Sequence, residues 1–227
     1  MKVLSINLGT PKTLLYRGKT VKTGIFKTPT EGPQTATFEG FIGDHQADLK
    51  HHGGPDKAIY VYDHINLGYW ALKRGESDYP PGHLGENLTV TGMEDENVHL
   101  GDVFVMGTTE LQVTQPRVPC FKLGVKLKDA GFVGDFLRSG RTGFYLRVLK
   151  EGTISAGDTI MKCREDPAPI SIKEAMKCLI QGPEQRPMIE RVLANEALSL
   201  AWRLDLQDRF ATHHAADHPM TTSPSST

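Results

Sequence analysis

Gln115-Pro116-Arg117-Val118-Pro119-Cys120-Phe121-Lys122-Leu123-Gly124 is the stretch at which the chain changes period. Upstream, residues 103–106 and 111–114 read as strands flanking Gly107-Thr108-Thr109, the outline of a hairpin. Downstream, Leu123, Leu127 and residues 132–137 take up helical spacing. Strand therefore gives way to helix at a cysteine, and Pro119 just before it fixes the local backbone. Cys120 also stands between two cations. Nearby positive charge stabilises a thiolate, so Arg117 and Lys122 are expected to lower its pKa. Thiolates are the soft ligands that transition metals take from a protein. The competing reading is a small apolar residue filling a corner beside two solvated cations, and the stretch alone leaves both open.

Working outward, residues 3–8, 21–25, 38–42, 58–62, 86–90, 144–149 and 159–162 also read as short strands. Residues 28–37, rich in Pro, Gly and Thr, read as an exposed loop. Asp63 is placed to cap a helix that carries Leu67, Trp70 and Ala71. The Gly101-Asp102 and Gly157-Asp158 pairs each precede an apolar strand and read as turn chemistry, because Asp bonds its own following backbone. Trp70 and Trp202 lie on apolar faces and are expected in the core. Cys163, at the edge of the β domain, and Cys178, on a helix, are expected to be packing residues.

Composition narrows the class. The chain has 227 residues, 38% of them hydrophobic and 23% charged, as in a globular protein. A net charge of −1 gives nothing that recruits duplex nucleic acid or an acidic membrane surface. Its 23 glycines and 14 prolines favour turns and short strands over long helices. No apolar run reaches bilayer length, and the odd cysteine count of 3 argues against a disulfide framework. A reducing cytoplasm is the expected compartment.

The composition shifts at residues 163–169, which read as a linker. Beyond it Ser171 and Glu174 form a capping-box pattern, Gly182-Pro183 ends that helix, and a second follows over 187–194. Asn195 is expected to cap a third helix carrying Ala197, Leu200, Ala201 and Leu204. Three short helices seldom fold alone. The expected division is a β domain over 1–164, a three-helix region over 165–212 and a disordered tail over 213–227. The helical region reads either as cover for a face of the β domain or as a surface for partner docking or homodimer contact, and the sequence leaves both open.

A second stretch, Gly43-Asp44-His45-Gln46-Ala47-Asp48-Leu49-Lys50-His51-His52-Gly53-Gly54-Pro55-Asp56-Lys57-Ala58, offers backbone donors rather than apolar surface. Adjacent glycines let successive N–H groups point into one concavity that holds an anion. Lys57 adds a point charge and His52 a donor. The alternative is a tight solvated turn. The spacing of His45, His51, His52 and His64 matches no zinc signature.

Four blocks taken in order resemble the MOSC domain, the domain named after the C-terminal part of molybdenum cofactor sulfurases. They are Gly43-Asp44 with Asp48; His52-Gly53-Gly54-Pro55-Asp56-Lys57-Ala58; Gly85-Glu86-Asn87-Leu88; and Pro116-Arg117-Val118-Pro119-Cys120-Phe121-Lys122-Leu123. Gly143 with Tyr145 and Gly157-Asp158 fit the same pattern, and the helical C-terminal part is similar to the bacterial YiiM-type branch. The resemblance implies a mainly β fold, a small barrel with helices inserted in its loops, here with a three-helix appendage. It implies a pterin-bound molybdenum cofactor (molybdopterin) ligated by Cys120, and reduction of N-hydroxylated compounds such as N-hydroxylaminopurine. Cys120 and His52 would then be catalytic, and His52, Gly53, Gly54, Lys57, Asn87, Arg117 and Lys122 would hold the cofactor. Electrons would come from a partner reductase, because no dinucleotide-binding fingerprint follows a strand. Two other uses of the cysteine stay open: a sulfur or cofactor carrier without turnover, and a hydrolase pairing Cys120 with His52.

Overall fold

The computed structural model describes residues 1–45 and 54–217. In chain order the elements begin with β1 (Lys2–Leu8), β2 (Lys12–Tyr16), β3 (Lys19–Thr23), β4 (Thr28–Pro29), β5 (Gln34–Thr37) and β6 (Gly40–Phe41). A 3-10 turn (Pro55–Lys57), β7 (Ile59–Asp63), α1 (His64–Lys73), β8 (Leu88–Thr91), β9 (Val103–Met106) and β10 (Thr109–Pro116) follow. Then come α2 (Phe121–Lys126), α3 (Phe132–Ser139), β11 (Phe144–Lys150), β12 (Gly152–Ile154) and β13 (Ile160–Arg164). The chain closes with α4 (Ile172–Gln181), a 3-10 turn (Gly182–Gln185), α5 (Arg186–Ala194) and α6 (Leu200–Asp217).

The central sheet has 8 strands in the order β13-β9-β10-β11-β7-β8-β1-β4. Its pairings are antiparallel except β7 with β8, which run parallel from Val61↔Leu88 to Asp63↔Val90. A parallel pair needs a crossover, and α1 supplies it. Asp63 ends β7 and caps α1, its carboxylate accepting from Ile65 N at 2.9 Å and, through the second oxygen, from Met93 N at 2.6 Å.

The sheet-rich fold is the one the sequence implies, but the barrel is not closed. Sheet order ends at β13 and β4. Between β1 and the approach to β13 there is one isolated bridge, Lys2↔Thr159, with Val3 N donating to Asp158 O at 2.9 Å. A continuous ladder would need matched register over several residues, and the Gly157-Asp158 turn occupies that seam instead. The expected loop over 28–37 contains β4 and β5, the latter drawn into a 3-stranded sheet with β6 and β12. The hairpin of β2 and β3 stands as a separate sheet, and the sequence reading saw only part of its second strand.

Two buried clusters hold these layers. The larger joins sheet residues such as Ile59, Phe104, Val113 and Leu146 to Ile172, Met176, Val192, Trp202 and Leu206 of the C-terminal helices. The smaller is aromatic: Tyr60, Tyr62, Trp70, Tyr79, Phe132 and Phe136 pack between β7, α1 and α3. The Ser171–Glu174 capping box is present, with Ser171 N donating to the Glu174 carboxylate at 2.9 Å and Glu174 N to Ser171 Oγ at 3.2 Å. Asn195 instead stands at the C-terminus of α5, and α6 is capped by Ser199, whose Oγ accepts from Trp202 N at 3.1 Å. Cys178 is buried, as a packing residue should be, whereas Cys163 is exposed on the edge strand β13.

Candidate active-site cleft

The strand-to-helix change at Cys120 opens a cleft. β10 ends at Pro116, and Arg117 N donates to Gly143 O at 2.9 Å, so the chain turns away beside the start of β11. Only glycine fits at 143: its φ is +69°, and a Cβ there would collide with Val61 O and the rings of Tyr60 and Tyr62. Asp95 braces the same turn, accepting from Thr142 N at 2.9 Å and Gly143 N at 2.7 Å, and its burial pushes its pKa up to about 6.

The cleft has about 660 Å³ of atom-free space, its open mouth included. Cys120, Arg117, Lys122, Asn87 and Lys57 all line it. Cys120 is half-buried and immediately precedes α2, which carries Lys122 on its buried side. Gly54, with φ 91°, precedes the 3-10 turn that ends in Lys57. His52 and Gly53 lie outside the described residues.

Arg117 is the most deeply placed cation. Its guanidinium lies over the rings of Tyr60 and Phe136 at 5.0 and 5.4 Å, a cation–π sandwich that offsets part of its lost hydration. Nη2 donates to Leu84 O at 3.5 Å, but the buried Nη1 has no acceptor. Burial pushes the Tyr60 and Tyr145 phenols above their ordinary range, opposed by the Arg117 charge, so both remain protonated at neutral pH.

Asn87 has a firmer structural role than the sequence assigns it. Its Oδ1 accepts from Tyr60 N at 3.1 Å and its Nδ2 donates to Asp44 Oδ2 at 2.8 Å. Asp44 in turn accepts from Lys27 Nζ at 2.5 Å and Gly9 N at 2.9 Å. Burial draws the Lys27 ammonium below its ordinary pKa, and Asp44 opposes that shift. Lys27, Tyr60, Tyr145, Gly85, His45 and the exit of β3 are lining residues that sequence reading did not select as site residues. Gly85 has φ +91°, and a Cβ there would stand 2.7 Å from Ile25 Cγ1, so glycine keeps this wall close to the β3 exit.

The turn bearing Lys57 is pinned from the far side. Asp56 pairs with Arg147 Nη2 at 2.7 Å and accepts from Leu200 N, the first residue of α6, at 3.1 Å. Thr114 Oγ1 donates to Asp56 O at 2.7 Å. Among the described residues no group of three or more His, Cys, Asp or Glu side chains could hold a metal ion, and no helix is long and apolar enough to cross a membrane. Chemically the cleft is one thiol set among cations, with a buried donor that lacks an acceptor. That suits an anionic ligand bearing a soft metal.

Comparison with known proteins agrees. The family model of the MOSC domain, a family associated with binding the molybdenum cofactor, matches residues 48–161. The Uncharacterized protein YflK of Bacillus subtilis (strain 168) is 43% identical over 203 residues, spanning 88% of this chain and 90% of that protein. A protein named Reductase from Gibberella moniliformis is 38% identical over 146 residues, which is 63% of this chain but 26% of that longer protein. The crystal structure of YiiM from Geobacillus stearothermophilus superposes with a TM-score of 0.78 at 32% identity, covering 92% of this chain and 98% of that one. The chain belongs to the MOSC domain family, in its YiiM-type branch.

Proposed function

We propose that the protein is a molybdenum-cofactor-dependent reductase of N-hydroxylated compounds, with Cys120 as the protein ligand to the metal. The observation that carries this reading is the buried, acceptorless Nη1 of Arg117 in the cleft that also presents the Cys120 thiol. An anionic group entering the cleft would supply the missing acceptor, and Lys57 and Lys122 stand on the same walls. The Reductase name of the Gibberella relative supports a redox reaction over simple cofactor carriage. When bound, the cofactor supplies a two-electron redox centre.

The chain's own residues do the rest. Arg117, Lys57 and Lys122 bind and orient the anionic end through charge-assisted contacts. Cys120 offers a sulfur donor from a backbone held rigid between Pro119 and α2. Asn87 and Asp44 hold Lys27 at the wall. The net reaction takes an N–OH group, two protons and two electrons to N–H and water, breaking the N–O bond. The electrons come from a reduced flavin or iron–sulfur protein. That protein is separate in this reading, since no dinucleotide-binding fingerprint follows a strand among these residues.

Cys120→Ser tests the assignment, because a hydroxyl oxygen is a poor ligand at a soft site. The variant is expected to stay folded, to be purified without molybdenum and to lose N–O reduction. Full metal content with wild-type turnover would remove Cys120 from the metal. Labile sulfur on the wild type without metal would favour the carrier reading instead.

A further inference from the structure

One wall of the cleft is not built by the central sheet. Among the described residues, strands β2 and β3 pair only with each other, from Lys12↔Thr23 to Tyr16↔Lys19. The chain leaving β3 becomes the cleft lining at Thr23, Gly24, Ile25 and Lys27. At the hairpin's other end, Tyr16 stacks on Phe121, the residue after Cys120, with centroids 4.8 Å apart and planes at 27°. The hairpin therefore lies along the mouth of the cleft and touches both of its sides.

Its charge is one-sided. Lys2, Lys12, Arg17, Lys19, Lys22 and Lys27 all precede the first carboxylate of the chain, Glu31. The rest of a chain of net charge −1 is accordingly acidic on balance. Lys27 is committed to Asp44, but Lys12, Arg17, Lys19 and Lys22 are exposed. The contacts of Lys12 and Arg17 are with rings: Lys12 over Phe26 at 5.2 Å and Arg17 over Tyr16 at 5.3 Å. The pairing register sets Leu15, 77% exposed, on one face of the hairpin with Lys22, and Lys12, Lys19 and Tyr16 on the other, beside Phe121 (43% exposed) and Val118 (37%). Like charges on one short hairpin repel one another, and a two-stranded hairpin has little stability of its own to absorb that. A projecting hairpin of this kind, with exposed apolar groups beside charges of one sign, suits a small, transient, electrostatically steered contact.

We propose that the exposed cations of the β2–β3 hairpin, with Val118 and Phe121 beside them, form the docking surface for an acidic electron-carrier protein. It rests on the reductase reading above. Charge complementarity selects an acidic partner, and the shared residues bring that partner to the mouth of the Cys120 cleft. The C-terminal helices, which the sequence offered either as a docking surface or as cover for the β domain, have their apolar faces in the main core cluster.

The test uses the full chain carrying its cofactor, with an acidic flavodoxin as the carrier and the paired variant Lys19→Glu/Lys22→Glu. A second variant, Leu15→Gln, removes exposed apolar surface from the hairpin without changing charge. Two quantities are read: carrier binding at low and high salt, and turnover driven by the reduced carrier or by dithionite-reduced methyl viologen, a small donor that needs no docking face. The expected result is salt-sensitive binding to the wild type and at least a tenfold loss of carrier affinity in the paired variant. The KM for carrier should rise to match, with the viologen-driven rate unchanged. Equal binding by wild type and variant, or no binding to either, would overturn the proposal. Salt-sensitive capture of a single-stranded oligonucleotide or of a second copy of the chain in place of the carrier would overturn it as well. Charge-dependent carrier binding without viologen-driven turnover would instead sink the reductase reading and leave the docking face standing.

Discussion

The β2–β3 hairpin and the C-terminal helices are both additions to the same central sheet, and different physics attaches them. The helices are attached by burial: Ile172, Met176, Val192, Trp202 and Leu206 share one cluster with the strands. The hairpin is attached by point contacts, the Tyr16–Phe121 stack at its tip and Lys126 at its exit. Apolar area removed from water commits a segment to the fold at roughly 25 cal/mol per Å². Exposed charge without an internal partner leaves a segment available to something else. The contrast explains why the region that looks separable in sequence is the one the core cannot spare.

Truncation after Arg164 challenges this contrast most severely. It would expose the helix side of the main cluster, and the expected outcome is loss of soluble protein. Trp202→Ala is the graded version, with an expected cost of about 3–5 kcal/mol for a buried aromatic, read from denaturant unfolding. Soluble truncated protein that keeps its cofactor would make the helices an appendage after all.

A smaller effect tests the hairpin's anchor. Lys126 Nζ donates to Ile25 O and Gly82 O, both at 3.0 Å. Burial, with Arg117, Lys27 and Lys12 adding to it and Glu86 opposing, lowers its pKa from 10.5 to about 8. The folded state then binds fewer protons than the unfolded chain between those two values, so native stability rises with pH through that window. Relative to Lys126→Gln, which does not titrate, the wild type should gain up to about 3 kcal/mol across it. A difference that stays flat with pH would mean that the anchor is not the charged amine in a dry site.

The smallest expected effect joins the two regions. Asp56 ties the first residue of α6 to the turn that carries Lys57. Its pair with Arg147 is partly solvent-exposed, so Asp56→Asn should cost only about 1.5 kcal/mol, roughly a tenfold loss of cofactor retention on dialysis. Unchanged retention would mean that α6 holds its own face of the sheet and has no bearing on the cleft.

What the sequence made legible was local. Arg117, Cys120 and Lys122 fall within a few positions of one another, and a strand turning into a helix brings them to one cleft. The Ser171–Glu174 box and the Asp63 cap are likewise short-range patterns whose partners are three or fewer residues away. The Lys27–Asp44–Asn87 chain was not legible, because its members meet only when three distant segments converge on the cleft wall. Asn195 was the cap expected from sequence, but Ser199, four residues on, caps α6 and also suits the role by local rule. Tertiary contact decided between them, since Ser199 Oγ also donates to Gln115 Oε1 at 2.5 Å. Barrel closure depended on register between the two ends of the sheet, about which periodicity is silent.

The seam between β1 and the Gly157-Asp158 turn also bears on how the chain comes to be folded. Val3 exchanges backbone hydrogen bonds with both residues of that turn, Gly157 N donating to Val3 O at 2.8 Å. During synthesis β1 therefore waits for a segment some 150 residues later before its outer edge is paired. Contacts of such sequence separation raise contact order and slow folding. In the interval β1 offers an unpaired edge, the kind that recruits other chains. Until then the nascent chain is open to aggregation at β1, and a chaperone that shields this strand until residue 158 is made would protect the yield of folded protein.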